Sequence, residues 1–204
     1  MPKPHLDCKG LACPHPVLRA KDLLEREQPD ELEMIVDNDA AKENVTRFLS
    51  GQGYSVTAQA QGTDWLLAAA RSGAKPAAPE DLGTRVTRAP EGGLRITVFI
   101  TADTIGRGDD VLGAKLMVNF LSTLPELGRE LWRIILVNAG VKLAVDGSPV
   151  LDSLLALEKM GADILVCGTC LDHFGLLDKR RVGATTNMLD VVTSLQLADK
   201  VIQV

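Results

Sequence analysis

The sequence predicts two folded parts of different class: an α+β two-layer sandwich, then an α/β domain built on a parallel sheet. Three observations lead there. Residues 5–70 order as strand, helix, strand, helix, strand, strand. Residues 94–204 alternate continuous apolar strands with helices, the pattern of βαβ crossovers. Between them, a stretch rich in Ala, Pro and Gly has neither a helical nor a strand period. The expected division is therefore a first domain over 1–71, a linker over 72–93 and a second domain over 94–204, with no internal repeat between the halves.

In the first part, residues 5–8 read as an edge strand running into a turn at Gly10. Pro14 to Glu27 carries apolar residues at Val17, Leu18, Ala20, Leu23 and Leu24, close to one helical stripe, with Arg19, Lys21 and Asp22 left for solvent. Gln28-Pro29-Asp30 breaks that helix. Leu32, Met34 and Val36 alternate with more polar neighbours, as a strand with one buried face does. Asn38-Asp39 offers a cap for a helix over residues 40–50 with Ala41, Val45, Phe48 and Leu49 inward, ended by Gly51 and Gly53. Tyr54 to Ala60 and Trp65 to Ala70 read as a hairpin about the turn Gln61-Gly62-Thr63-Asp64, and both helices are expected on one face of the sheet.

The second part opens with an apolar strand over residues 94–100 and a loop over 101–108. Asp109-Asp110 suits the start of a helix, whose predicted buried stripe is Leu112, Leu116, Met117, Phe120, Leu121 and Leu124, and Pro125 stops it. A strand over 132–137, a loop over 138–147 and a helix over 149–160 follow, the last with Val150, Leu151, Leu154, Leu155 and Leu157 inward. Asp163 to Val166 is a third apolar strand ending at Cys167. A helix over 187–196 and a strand over 200–204 complete the chain.

Composition bounds the function. The 204 residues are 46% hydrophobic and 24% charged, ordinary for a soluble globular protein, and with 3% aromatics the core must be aliphatic. A net charge of −5 without a basic cluster argues against nucleic acid as a partner. Met1-Pro2-Lys3-Pro4-His5 lacks the apolar core of a secretory signal and no apolar run is long enough to span a bilayer, so a cytoplasmic location without membrane association is expected. The four cysteines form two local pairs, Cys8/Cys13 and Cys167/Cys170. Without an export signal, such pairs point to thiol chemistry or metal binding rather than to stapling.

Cys13-Pro14-His15-Pro16 is the first candidate site. Proline suits the first helical position, which puts Cys13 at the N-cap, where unpaired N–H groups and the helix dipole favour a thiolate. A small half-buried cysteine at a helix start is the plain alternative, and local physics leaves both open. Cys167-Gly168-Thr169-Cys170 is the second site, at the carboxyl end of a parallel strand, where open sheets bind ligands. A Cys-x-x-Cys there can close a reversible disulfide or hold a persulfide. Lys179-Arg180-Arg181 can stabilise a thiolate or form a solvated basic surface. Zinc is the rival occupant, with Cys167, Cys170 and His173 as ligands completed by Cys8/Cys13, but only one tight ligand pair is present. Haem attachment needs His where Leu171 stands. Residues 106–108 lack the third glycine of a nucleotide fingerprint, and Asp109-Asp110 would repel phosphate. His5 and His15 read as surface residues, and Asp7 and Gly10 as shaping the turn before Cys13.

Leu6-Asp7, Gly10-Leu11 and Cys13-Pro14-x-Pro16 resemble the signature of the SirA/TusA-type sulfur carriers over residues 5 to about 70. The resemblance implies that Cys13 carries a persulfide; Cys8 falls outside the pattern. Cys-Gly-Thr-Cys resembles the corresponding loop of the DsrE-like (YchN-like) sulfur-relay proteins over residues 94–204, which implies homo-oligomers formed through that domain. The fusion of the two is similar to the YedF-type selenium-metabolism proteins, which are sulfurtransferase-like. Together these imply relay of sulfur or selenium as a persulfide or selenosulfide through Cys13, with Cys167 and Cys170 as further relay or releasing thiols. The expected partners are a donor such as a cysteine desulfurase and a downstream acceptor, with no cofactor and no metal. A non-enzymatic redox-sensing protein is the alternative.

Overall fold

The structure, a computed structural model, describes residues 3–72 and 93–204. The chain divides into two compact units, Met1–Arg85 and Val86–Val204, each taken by itself below. The stretch expected as a linker falls, over residues 73–92, outside the described residues.

The first unit is a four-stranded sheet in the order β1-β2-β4-β3. Its elements are β1 (His5–Asp7), α1 (His15–Glu27), β2 (Glu31–Val36), α2 (Asp39–Gly51), β3 (Tyr54–Gln61) and β4 (Asp64–Arg71). The first strand runs parallel to β2, and the other pairs are antiparallel. Along β2 the side chains alternate by face as the pleat requires, so Leu32, Met34 and Val36 are sealed in one core while Glu31 stays in water. Val17 and Ala20 of α1 and Val45, Phe48 and Leu49 of α2 are buried in the same unit. The Asn38 side chain caps α2 by accepting from the Ala41 N–H at 2.7 Å. The inward face of α2 begins at Ala40 rather than Ala41 and includes Asn44. Of the residues alternating along β3, only Tyr54 is buried, because β3 is the sheet edge.

The second unit is a five-stranded, all-parallel sheet in the order β8-β7-β6-β5-β9. The strands are β5 (Ile96–Ile100), β6 (Leu131–Leu136), β7 (Asp163–Cys167), β8 (Ala184–Thr186) and β9 (Lys200–Gln203). The helices are α3 (Asp110–Thr123), α4 (Leu151–Lys159), α5 (Gly168–His173) and α6 (Met188–Leu197). Every residue of β6 is buried, as a central strand covered on both faces demands. Ile134, Leu136, Ile164 and Val166 pack with Met117, Leu121, Leu154 and Leu157 in the larger cluster, and Ile135 and Leu165 pack with Val191 of α6 in a smaller one. Arg133 belongs to the α6 side: it is 3% exposed, its Nη1 donates to Ser194 Oγ at 2.8 Å, and its Nε lies 3.5 Å from Asp163 Oδ2.

The structure corrects several expectations. Leu112 and Leu116 are 56% and 42% exposed, so the stripe predicted for α3 points partly to solvent. Met117, Leu121 and Leu124 of the predicted stripe are buried, and Gly113 joins them on the inward line. Gly113 sets it, because a Cβ there would lie 2.9 Å from Thr104 Cβ, and only glycine lets the helix come this close. The first strand starts at Ile96 rather than Leu94, and α4 starts at Leu151 rather than Pro149. The loop expected over 138–147 contains a 3-10 helix, Asn138–Ala144, and β8 had no signal in the sequence.

Candidate functional site

Two cysteine sites stand at the amino side of α1 and at the carboxyl end of β7. The first is built on a turn. Asp7 Oδ1 accepts the Lys9 N–H at 3.0 Å, and Gly10, with φ of 70°, donates its N–H to Asp37 Oδ2 at 2.5 Å. Leaving that turn, the chain makes a second one, in which the His15 N–H donates to the Ala12 carbonyl at 2.9 Å, and the Cys13–Pro14 peptide is cis. The first bond into the helix runs from the Leu18 N–H to the Pro14 carbonyl at 3.1 Å.

Pro14, not Cys13, is therefore the N-cap, and Pro16 takes the early helical position. This corrects the N-cap reading of Cys13: the thiol sits one residue outside the helix, half-buried on the turn, and the dipole argument loses most of its force there. Lys9, the nearest cation in sequence, lies 3.7 Å from Asp64 and 4.0 Å from Asp7. Cys8 is sealed in the core, its N–H donates to the Ile35 carbonyl at 2.9 Å, and burial pushes its thiol pKa up. That environment makes Cys8 a packing residue. His5 and His15 are exposed, as expected.

The second site is built on the sheet. Cys167 is the last residue of β7, paired with Thr186 of β8, and is only 4% exposed. The helix α5 opens at once, so Cys170 is helical rather than on a loop, and it is half-buried. Asn138, at the start of its 3-10 helix with φ of 49°, donates its backbone N–H to Cys170 Sγ at 3.1 Å. The Cys170 pKa is lowered to about 6. The hydrogen bond from the Cys167 thiol is the largest cause, the Asn138 N–H and His173 add to it, and partial burial opposes it.

Within the basic run Arg181 pairs with Asp146 and Arg180 Nη1 donates to the Gly183 carbonyl, and the side-chain charge that favours the Cys170 thiolate is that of His173. Among the described residues, no three His, Cys, Asp or Glu side chains come together as a metal cluster, and Cys167, Cys170 and His173 do not form the zinc set weighed from their spacing. No described helix is long and apolar enough to cross a membrane. Sequence reasoning missed Asn138 and Asp37, whose contacts join segments about thirty residues apart; a glycine turn beside an aspartate was the one available signal for the latter.

The family model of the sulfurtransferase TusA matches residues 5–68. A Methanocaldococcus jannaschii protein described as a candidate sulfur carrier is 44% identical over 52 residues, which cover 25% of this chain and 69% of that protein. Among solved structures, a SirA-like protein from Desulfitobacterium hafniense is 26% identical, with a TM-score of 0.30 over 32% of this chain and 93% of that one. The YchN protein of E. coli is 15% identical, with a TM-score of 0.44 over 54% of this chain and 100% of that one. A protein of unknown function from Methanobacterium thermoautotrophicum is 18% identical, with a TM-score of 0.42 over 54% and 99%.

Proposed function

Through residues 5–68 the chain belongs to the TusA family of sulfur carriers, and from that premise we propose that it relays sulfur or selenium as a cysteine-bound persulfide or selenosulfide, first taken up by Cys13. The observation that carries this is the position of Cys13, half-buried on a turn just outside α1, open to an incoming donor yet held by Pro14 and Pro16. The Cys13 thiolate attacks the outer sulfur of a donor persulfide, R–S–SH. A bond forms from Sγ to that sulfur, the donor S–S bond breaks, and the donor leaves as R–S⁻. An acceptor thiolate reverses the exchange. A persulfide-bearing donor of the cysteine desulfurase kind and a thiol acceptor are the partners this chemistry needs, with no nucleic acid, membrane or cofactor. Four cysteines with no disulfide among them suit a reducing, cytoplasmic setting, and Cys167 and Cys170 offer further stations. The similarity of Cys-Gly-Thr-Cys to DsrE-like relays, and of the whole arrangement to YedF-type proteins, supports the reading.

Mass spectrometry of the full chain after incubation with a cysteine desulfurase and cysteine tests it. An added sulfur atom on the Cys13 peptide, lost in Cys13→Ser, is the expected result. A redox sensor is the second reading, favoured by the thiol pair at Cys167 and Cys170; it predicts a disulfide there and no adduct at Cys13.

We also propose that residues 94–204 self-associate. Val111, Leu112 and Leu116 of α3 are exposed apolar side chains, which a partner surface would cover. Light scattering at micromolar concentration is expected to give a mass above that of one chain, and a monomer mass overturns the proposal.

A further inference from the structure

The thiol pair of the second unit raises the question of which sulfur reacts. Cys167 stands nearer the mouth of the sheet in sequence, but its side chain lies in the apolar cluster with Val166 and Leu171. Cys170 is the more open of the two; its sulfur accepts the Asn138 N–H at 3.1 Å, and the Cys167 thiol favours its anion. The Asn138 N–H is held in place from behind. The Val137 N–H donates to the Ile100 carbonyl at 3.0 Å, and the Gly140 N–H donates to the Val137 carbonyl at 3.0 Å. A Cβ at residue 140 would lie 2.7 Å from Ile100 O, so only glycine allows this segment to press onto the end of β5.

We propose that Cys170 is the nucleophile of the second unit, with Cys167 and the Asn138 N–H as the fixed hydrogen-bond donors that hold its thiolate. A sulfur that receives two donors at the carboxyl edge of a sheet is stabilised as an anion before any substrate arrives. The charged and titratable groups around it agree. His173 on its own helix favours the anion. Lys142, on the Asn138–Ala144 segment, pairs with Asp103 at 3.2 Å and lies over the Phe174 ring, so each charge of that pair is answered. Toward a persulfide R–S–SH, the Cys170 electron pair forms the new S–S bond to the outer sulfur and R–S⁻ leaves, with no net oxidation. The Cys167 proton stays on Cys167 throughout. Only the identity of this electrophile rests on the proposed relay; the assignment of the nucleophile does not.

Alkylation by iodoacetamide against pH, read peptide by peptide in the full chain carrying Cys13→Ser, tests the assignment apart from any sulfur adduct at Cys13. The peptide containing residue 170 should label first, with half-maximal rate near pH 6. At about pH 5.5 the thiolate fraction should exceed that of a free thiol of pKa about 8.5 roughly 200-fold, and the lower basicity should cut this to on the order of 20-fold in rate. Cys167→Ala removes the main donor and should move the midpoint toward the free-thiol value. Cys167→Ser keeps a donor, so its midpoint should stay low, and it covers the case in which the alanine variant does not fold. Glutathione persulfide then supplies the electrophile, and the adduct should appear on residue 170 in Cys167→Ser but be absent in Cys170→Ser. Faster labelling of Cys167 in the wild-type pair, a Cys170 midpoint near pH 8.5, or no change in Cys167→Ala overturns the proposal. A missing adduct at Cys13 in the unmutated chain bears on the relay alone.

Discussion

The two units hold their sulfur in opposite ways. In the first, one face of a mixed sheet is covered, and Cys13 rides on a turn tethered by short polar contacts, Gly10 to Asp37 and Lys9 to Asp7. In the second, a parallel sheet is buried on both faces, and Cys170 is fixed by a backbone segment and a neighbouring thiol that the core itself positions. A thiol on a turn is accessible to a large partner and is tuned by whatever that partner brings. A thiol inside a scaffold carries its tuning with it. Under the proposed relay, carrying and reacting become separable tasks, one for each kind of site.

The comparison can be broken at the supports of each site. The largest effect is expected at Asn187, which follows the strand paired to Cys167. Its side chain is 1% exposed and accepts from the Leu189 and Asp190 N–H groups at 2.9 and 3.2 Å, while Nδ2 donates to Asp190 Oδ2 at 3.0 Å. Asn187→Ala removes a helix cap and a donor to a buried carboxylate, which together cost about 2–4 kcal/mol. Urea unfolding monitored by circular dichroism measures the loss. A cost below ~1 kcal/mol would mean that this junction is not the rigid support its burial indicates.

Much of this fold is legible in the sequence. The strand-helix order of the first unit, the Asn38 cap, the helix start at Asp109-Asp110 and the parallel pattern of the second unit all come from local periodicity and helix-start residues, signals that tertiary packing reinforces here. The Cys-Pro-x-Pro motif and its resemblance to sulfur carriers made Cys13 a candidate, and the Cys-x-x-Cys run at a strand end made Cys167 and Cys170 candidates. What the sequence hid is non-local. Leu112 and Leu116 are apolar at helical spacing and still face solvent, because Gly113 sets which side of α3 touches Thr104 and Ile105. The donor to Cys170 is a backbone N–H thirty-two residues away, which no side-chain pattern encodes. Pro14 suited two helix starts one residue apart, and only the backbone decides that it caps α1.

The smallest effect is expected on the turn before Cys13. Asp37 accepts from Gly10 and from Asn38 Nδ2 at 2.9 Å, and the Gly10 N–H first of all holds its carboxyl below the usual carboxylate range. The folded pKa is thus below the unfolded value of about 3.9, so the stabilisation is present above that value and is lost as pH falls through the folded one. Asp37→Asn keeps an acceptor but removes its charge. A charge-assisted bond is worth ~1.5–3 kcal/mol when buried, and solvent screening at this open turn reduces the expected loss at pH 7 to under ~1 kcal/mol. Between pH 7 and 5 the gap between wild type and variant in urea unfolding should be constant, and it should close below about pH 4 as the wild-type carboxyl takes up its proton. A gap that persists unchanged at low pH would show that the amide in Asp37→Asn fails for geometric reasons rather than for want of charge. A loss as large as that of Asn187→Ala would show that the turn is anchored as firmly as the second unit's scaffold, and the contrast between a tethered and a built-in thiol would have to be given up.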